Sequence, residues 1–308
     1  MVVGIAWNAG AVRARLLARD RLGRDGARAI ARLSSLDEAL DELGRGPYDH
    51  DLEPGSTLTA AQWAAGATPL WHLRILAGWL PPAGGELVRT LAGWWELANL
   101  ENHLAGLAAA ARQEPYELGR LDTAWSRLRT TDSYAAVRDT LADSEWRDPG
   151  GDDLPTMVTW TRLAWVDRVA EAAEPAVRLA AGYGALVAAR DLLVGARTLA
   201  GGPPHRIACL GVGWSDADEL EQLAERLPDD AAWVLEDLDD PSRLWEAEVR
   251  WWRRLDTEGR SLLQRPSSGP EAVVGVVAVL LADAHRVEGA LELAARGGGE
   301  EEMIHVGL

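Results

Sequence analysis

The side chains able to do chemistry are few, and their spacing assembles no complete site. The stretch LGVGWSDADEL (Leu210 to Leu220) follows the short apolar run RIACL, and Gly211 and Gly213 resemble the start of a dinucleotide-binding loop. The third glycine is absent, and Asp216 places a negative charge at the helix start where a pyrophosphate would sit. A capped loop-to-helix turn accounts for the same residues. Gly213-Trp214-Ser215 opens like a nucleophile elbow, but Ala217 stands where a glycine is required. Tyr48-Asp49-His50-Asp51, and His285 with Glu288 one helical turn on, offer metal-type ligands without a second set in register. A polar turn and a helix surface are the readings they support. Glu101 and His103 are two residues apart and point to different sides of a helix, which spoils a di-iron pattern. Cys209, the one cysteine, excludes an intrachain disulfide and reads as a small buried hydrophobe. The expectation is a protein with no catalytic residues, no metal and no cofactor.

The elements that would hold such residues are helices. Thr68-Pro69 reads as an N-cap and first helical position, with Leu70, Leu73, Ala77 and Leu80 on one face until Pro81-Pro82. From Glu86, Leu87, Leu91, Trp94, Leu97, Leu100, Leu104, Leu107 and Ala111 step by threes and fours, the pattern of an amphipathic helix. Ser35 with Glu38, and Ser215 with Asp218, read as capping boxes, and Pro228 ends the helix that the second would start. Pro241-Ser242 opens a segment striped by Trp245, Val249, Trp252 and Leu255. A last helix from Pro270-Glu271 ends at a left-handed Gly297. Its run AVVGVVAVLLA is 11 residues long, where a membrane span needs about 20, so it reads as a buried helix.

Composition narrows the function. The net charge of −17 argues against nucleic acid, whose phosphates select clustered cations. All side-chain cations are arginine, there is no phenylalanine, and 15 tryptophans take core positions that phenylalanine would otherwise fill. The opening residues lack a basic region before a long apolar stretch, so no signal peptide is expected, and a reducing, intracellular setting is the default.

Two helical phrases recur. WWELANLENHLAGLAAAAR, GALVAARDLLVGARTLAGG and AVLLADAHRVEGALELAARGG carry Asn99, Asp191 and Asp283 at spacings of 191−99=92 and 283−191=92. The phrases from Ser34, Asp132 and Asp229 have first apolar positions Leu36, Tyr134 and Ala231, 98 and 97 apart, each followed seven residues later by leucine. Units that cannot bury a face alone stack into a continuous core. Such bodies usually serve as scaffolds or adapters.

NAGAVRARLLARDRLG, LSSLDEALDELGRGPYDHDL and ELANLENHLAGL together resemble the C-type (also called d-type) central-stalk subunits of V-type and archaeal A-type rotary ATPases. Glu96 and Asn99 match that family's Asp-x-x-Asn-Leu helix, with Ala105 where an arginine usually follows. In the second copy Asp191 replaces the Asn and Arg197 keeps the arginine; in the third, either Asp283 or Gly289 stands at the Asn place. The resemblance implies an all-α fold of three similar lobes, 1–118, 119–207 and 208–308, around a pseudo-threefold axis, forming a funnel. It also implies a non-catalytic central-stalk adapter at the cytoplasmic face of the membrane. That adapter would join the D- and F-type axle subunits to the rotor ring and meet the membrane only through the ring. Candidate partner-interface residues are Arg13, Arg15, Asn99, Arg112, Arg197 and Arg296. The alternative roles are structural: for Arg112, Arg197 and Arg296 a helix-end arginine favoured by the dipole, and for Asn99 a buried amide bonding a neighbouring helix.

Overall fold

A computed structural model describes residues 2–195, 197, 199 and 207–299. The chain is all-helical, with no strand among the described residues. In order the helices are α1 (Val2–Asp20), α2 (Gly23–Ala31), α3 (Leu36–Leu43), α4 (Leu58–Ala77), α5 (Pro82–Leu107), α6 (Trp125–Leu128) and α7 (Tyr134–Ala142). They continue with α8 (Leu154–Ala172), α9 (Val177–Ala189), α10 (Leu220–Arg226), α11 (Asp229–Ala232), α12 (Leu244–Gln264) and α13 (Pro270–Ala295). No described helix is long and apolar enough to cross a membrane. Two compact units result: the first comprises residues 1–88 and 252–308, the second residues 89–251. The chain leaves the first unit within α5 and returns within α12.

In the first unit α13 is the hub. Its run from Ala272 to Ala284 is buried throughout, as the apolar stretch predicts, and it packs against α1, α2, α3 and α4. Gly297 follows with φ of 95°, the left-handed stop expected. Ile30, Leu40, Leu43, Ala61, Ala65, Val287 and Leu291 join in one apolar cluster. Ser35 caps α3 by accepting from the Glu38 amide at 3.3 Å, while the Glu38 carboxylate accepts from Ser34, so the capping box closes one residue early. The predicted start at Thr68-Pro69 is corrected: α4 begins after the Thr57 cap and continues through Pro69. Its buried face extends upstream through Ala61 and Ala65 against α13, and that packing outweighs the roughly 3 kcal/mol proline penalty.

The second unit is centred on α8 and α9. Trp94, Trp165, Tyr183 and Trp251 pack with ring centroids 5.2–6.3 Å apart. The indoles of Trp165 and Trp251 donate to the carbonyls of Thr90 and Leu179. Tryptophan fills core positions here, as the absence of phenylalanine suggested. The third short phrase forms no full helix: α11 has four residues, then a 3-10 turn drives Trp233 against Gly182. The predicted Ser215 cap is also corrected, because Trp214–Asp216 is a separate 3-10 turn and α10 starts after Glu219 without a side-chain cap. Pro228 does end α10.

Within the first unit, α12 and α13 approach through glycine. A Cβ on Gly275 would lie 2.8 Å from the Gly259 carbonyl oxygen, a backbone atom unable to yield. Gly275→Ala is expected to cost about 1–3 kcal/mol in urea denaturation. Gly4→Ala, in open space on α1, should be neutral or slightly stabilising.

Candidate functional site

Three polar residues of α5, Glu96, Asn99 and His103, share one buried face of this helix. The Glu96 carboxylate accepts the Thr123 and Ala124 backbone amides at 2.7 Å each and the Trp146 indole at 2.9 Å. Asn99, fully buried, donates to the Tyr116 carbonyl at 2.9 Å and accepts the Tyr116 amide at 2.7 Å. Asn102 holds both backbone groups of Gln113 the same way, at 2.7 and 2.9 Å. His103 Nε2 meets Thr131 Oγ1 at 2.9 Å. Together they pin the irregular segment after α5 along the helix that precedes it. Irregular backbone needs such partners when buried.

The same arrangement appears on α13. Asp283 accepts the consecutive amides of Leu22 and Gly23 at 3.0 and 2.8 Å and the Tyr48 hydroxyl at 3.0 Å. Each carboxylate therefore takes two backbone amides at the start of a short helix and one donor from an aromatic ring after the next. The two rings occupy one register of the second phrase, since 48−34=14 and 146−132=14. In the groups it binds, Asp283 is the counterpart of Glu96 rather than of Asn99, and Arg286 stands three residues after Asp283 as Asn99 stands three after Glu96. Arg286 is itself buried and pairs with buried Asp256 at 2.7 Å. Asp191 instead accepts from Thr159 and Arg197, both at 2.8 Å, while Asp167 accepts the Ala208 amide at 2.7 Å.

Burial pushes the Glu96 and Asp283 carboxyls above their ordinary values despite the bonds they accept. It lifts Tyr48 well above the usual phenol range. The Cys209 thiol, half-buried, is pushed up to about 12 for the same reason. The His103 imidazole is lowered by burial and then by Arg112.

The six candidate interface residues divide. Arg15 donates to the carbonyls of Leu263, Arg265 and Ser267 at 2.7–2.9 Å, closing the C-terminal end of α12. Arg197 bonds Asp191 and Thr156, tying the end of α9 to α8. Asn99 is the buried amide expected, with a following loop rather than a neighbouring helix as its partner. Arg296 is exposed and pairs with Glu292 within its own helix end. Arg13 is half-buried beside His72, whose imidazole is lowered by burial and then by this arginine. Arg112 lies across Gly106 and, with His103, Trp125 and Arg129, lines a cavity of about 510 Å³. Sequence reading passed over Asn102, Asp256 and Arg286; the visible signal was polar residues interrupting apolar helix faces.

His285 stacks on Trp252 with centroids 4.0 Å apart, and burial followed by Arg286 lowers its imidazole to about 4. The Glu288 side chain is 36% open to solvent, and burial of the remainder pushes its carboxyl up to about 8. Among the described residues, no three His, Cys, Asp or Glu side chains come together to hold a metal. Fold and site thus define an all-helical protein whose buried polar groups organise chain segments. No family model and no curated protein matches the chain.

Asn99→Ala removes two bonds to the backbone of buried Tyr116, each worth about 1–3 kcal/mol, and should destabilise more than Asn102→Ala, whose bonds are only half-buried, in chemical denaturation. Glu288 favours folding while neutral, fully below about 4.5, and this contribution disappears as pH rises toward 8. Wild type should therefore lose stability relative to Glu288→Gln between those pH values, by an amount moderated by the solvent exposure of the side chain. A wild-type-to-variant difference that is flat across that range would count against it.

Proposed function

We propose that the chain is a non-catalytic central-stalk adapter of the kind that C-type subunits form in V/A-type rotary ATPases, coupling the D- and F-type axle to the membrane rotor ring. In this reading residues 1–118, 119–207 and 208–308 are three related lobes about a pseudo-threefold axis, forming a funnel at the cytoplasmic face of the membrane. The observation that carries it is the recurrence of one carboxylate clamp, Glu96 on α5 and Asp283 on α13. Both lie on helices that resemble that family's Asp-x-x-Asn-Leu element. An adapter that transmits torque has to be stiff, and helices cross-tied to the segments they precede or follow deform little. Arg13, Arg112 and Arg296 are the candidate contacts with the axle or ring.

A second reading is favoured by the internal engagement of Arg15, Asn99 and Arg197: a stand-alone scaffold that has kept the fold and lost the rotary partners. Co-purification and binding with the axle and ring subunits of the same genome separates the two. Saturable binding at about micromolar concentration and low salt is expected for the adapter. Absence of binding to both would leave the scaffold.

A further inference from the structure

A groove of about 760 Å³ opens beside α10 and α11 in the second unit. Its floor is apolar, formed by Leu220, Ala224, Ala232, Leu235 and Leu238. Its rim is acidic: Glu219, Glu221, Glu225, Glu236, Asp237 and Asp239 line it, with no cation among the lining residues. Asp239 pairs with Arg243 at 2.9 Å, and the other five form no ion pair among the described residues. Of the arginines nearest in sequence only Arg243 reaches the rim, at Asp239, and it is shared with Glu246. Arg226 donates to the Gly213 carbonyl at 2.9 Å and Arg250 to the Val234 carbonyl at 2.7 Å. The rim is left negative around a floor that water solvates poorly.

We propose that this groove docks a basic amphipathic helix of a partner protein, with an apolar stripe on the floor and flanking Arg or Lys against the carboxylates. Charge complementarity selects the occupant. Nucleic acid and anionic lipid would be repelled by the rim, and a second copy of a chain carrying −17 would be disfavoured by the same sign. The carboxylates are also not gathered closely enough to hold a metal. A helix laid in a groove by its i, i+4, i+7 side chains is a common recognition mode, and opposite charge on the rim sets orientation and encounter rate. The small side chains of Ala224 and Ala232 leave room for the partner's larger ones. Docking at this groove does not depend on a rotary role for the chain.

The test uses the full chain and a fluorescein-labelled synthetic helical peptide, with leucines at i, i+4 and i+7 and arginines on both flanks. Anisotropy titration should show saturable binding that weakens with salt. The variant Glu221→Gln/Glu225→Gln/Glu236→Gln, its fold checked by circular dichroism, should bind about tenfold more weakly and with a shallower salt dependence. Leu238→Ser should also weaken binding. A composition-matched peptide with its leucines scattered should bind poorly. The proposal is overturned by absence of saturable binding, by equal binding of the scattered peptide, or by unchanged affinity in the triple variant. Dimerisation of the free chain that blocks the peptide would assign the groove to a second copy and overturn it as well.

Discussion

A carboxylate buried in the middle of a long helix is the constraint on which each unit depends. Removing such a group from water costs several kcal/mol, and each charge-assisted bond returns about 1.5–3 kcal/mol, so three bonds come near to balance. The upward displacement of both Glu96 and Asp283 shows that desolvation still exceeds the hydrogen bonds in its effect on protonation. Their structural consequence is specification. Two adjacent backbone amides and one ring donor meet at a single carboxyl, so the start of a short helix and the loop after the next are fixed together. An apolar residue at either position could fill the volume, but it would leave those amides without partners.

The helical class and most of the long elements were legible because apolar periodicity reports burial directly. The run from Ala272 onward and the stripe along α5 were readable in this way. Other features depended on distant partners. Pro69 looked like a helix start because proline is a strong local signal, but the buried face of Ala61 and Ala65 lies upstream of it and belongs to contact with α13. Ser215 had the right type and spacing for a cap, yet a 3-10 turn used its neighbours first.

The candidate site was legible only as a set of residues. Asn99 could be recognised as a polar interruption in an apolar face, whereas its bonds to Tyr116 lie in a segment without periodicity. Counting Asn99, Asp191 and Asp283 at equal intervals groups side chains with different partners, because spacing follows loop length while the bonds depend on the donors each side chain meets. The shared position of Tyr48 and Trp146 is the better guide, since both rings complete a clamp.

The use of arginine links these interiors to the surface. Arg162 grips Glu101 through two 2.7 Å bonds, and Arg138 holds Asp148 at 2.8 and 3.1 Å, geometries that a planar fork makes and a lysine ammonium does not. Arg15 closes the carbonyls at the end of α12, and Arg286 neutralises Asp256 in the interior. The 48 Asp and Glu outnumber the 31 arginines, and that excess sets the net charge of −17. A surface of that sign resists nonspecific association with nucleic acid and anionic membranes. It leaves attraction for partners that bring cations of their own, and an apolar floor beneath a predominantly acidic rim adds shape to that selection.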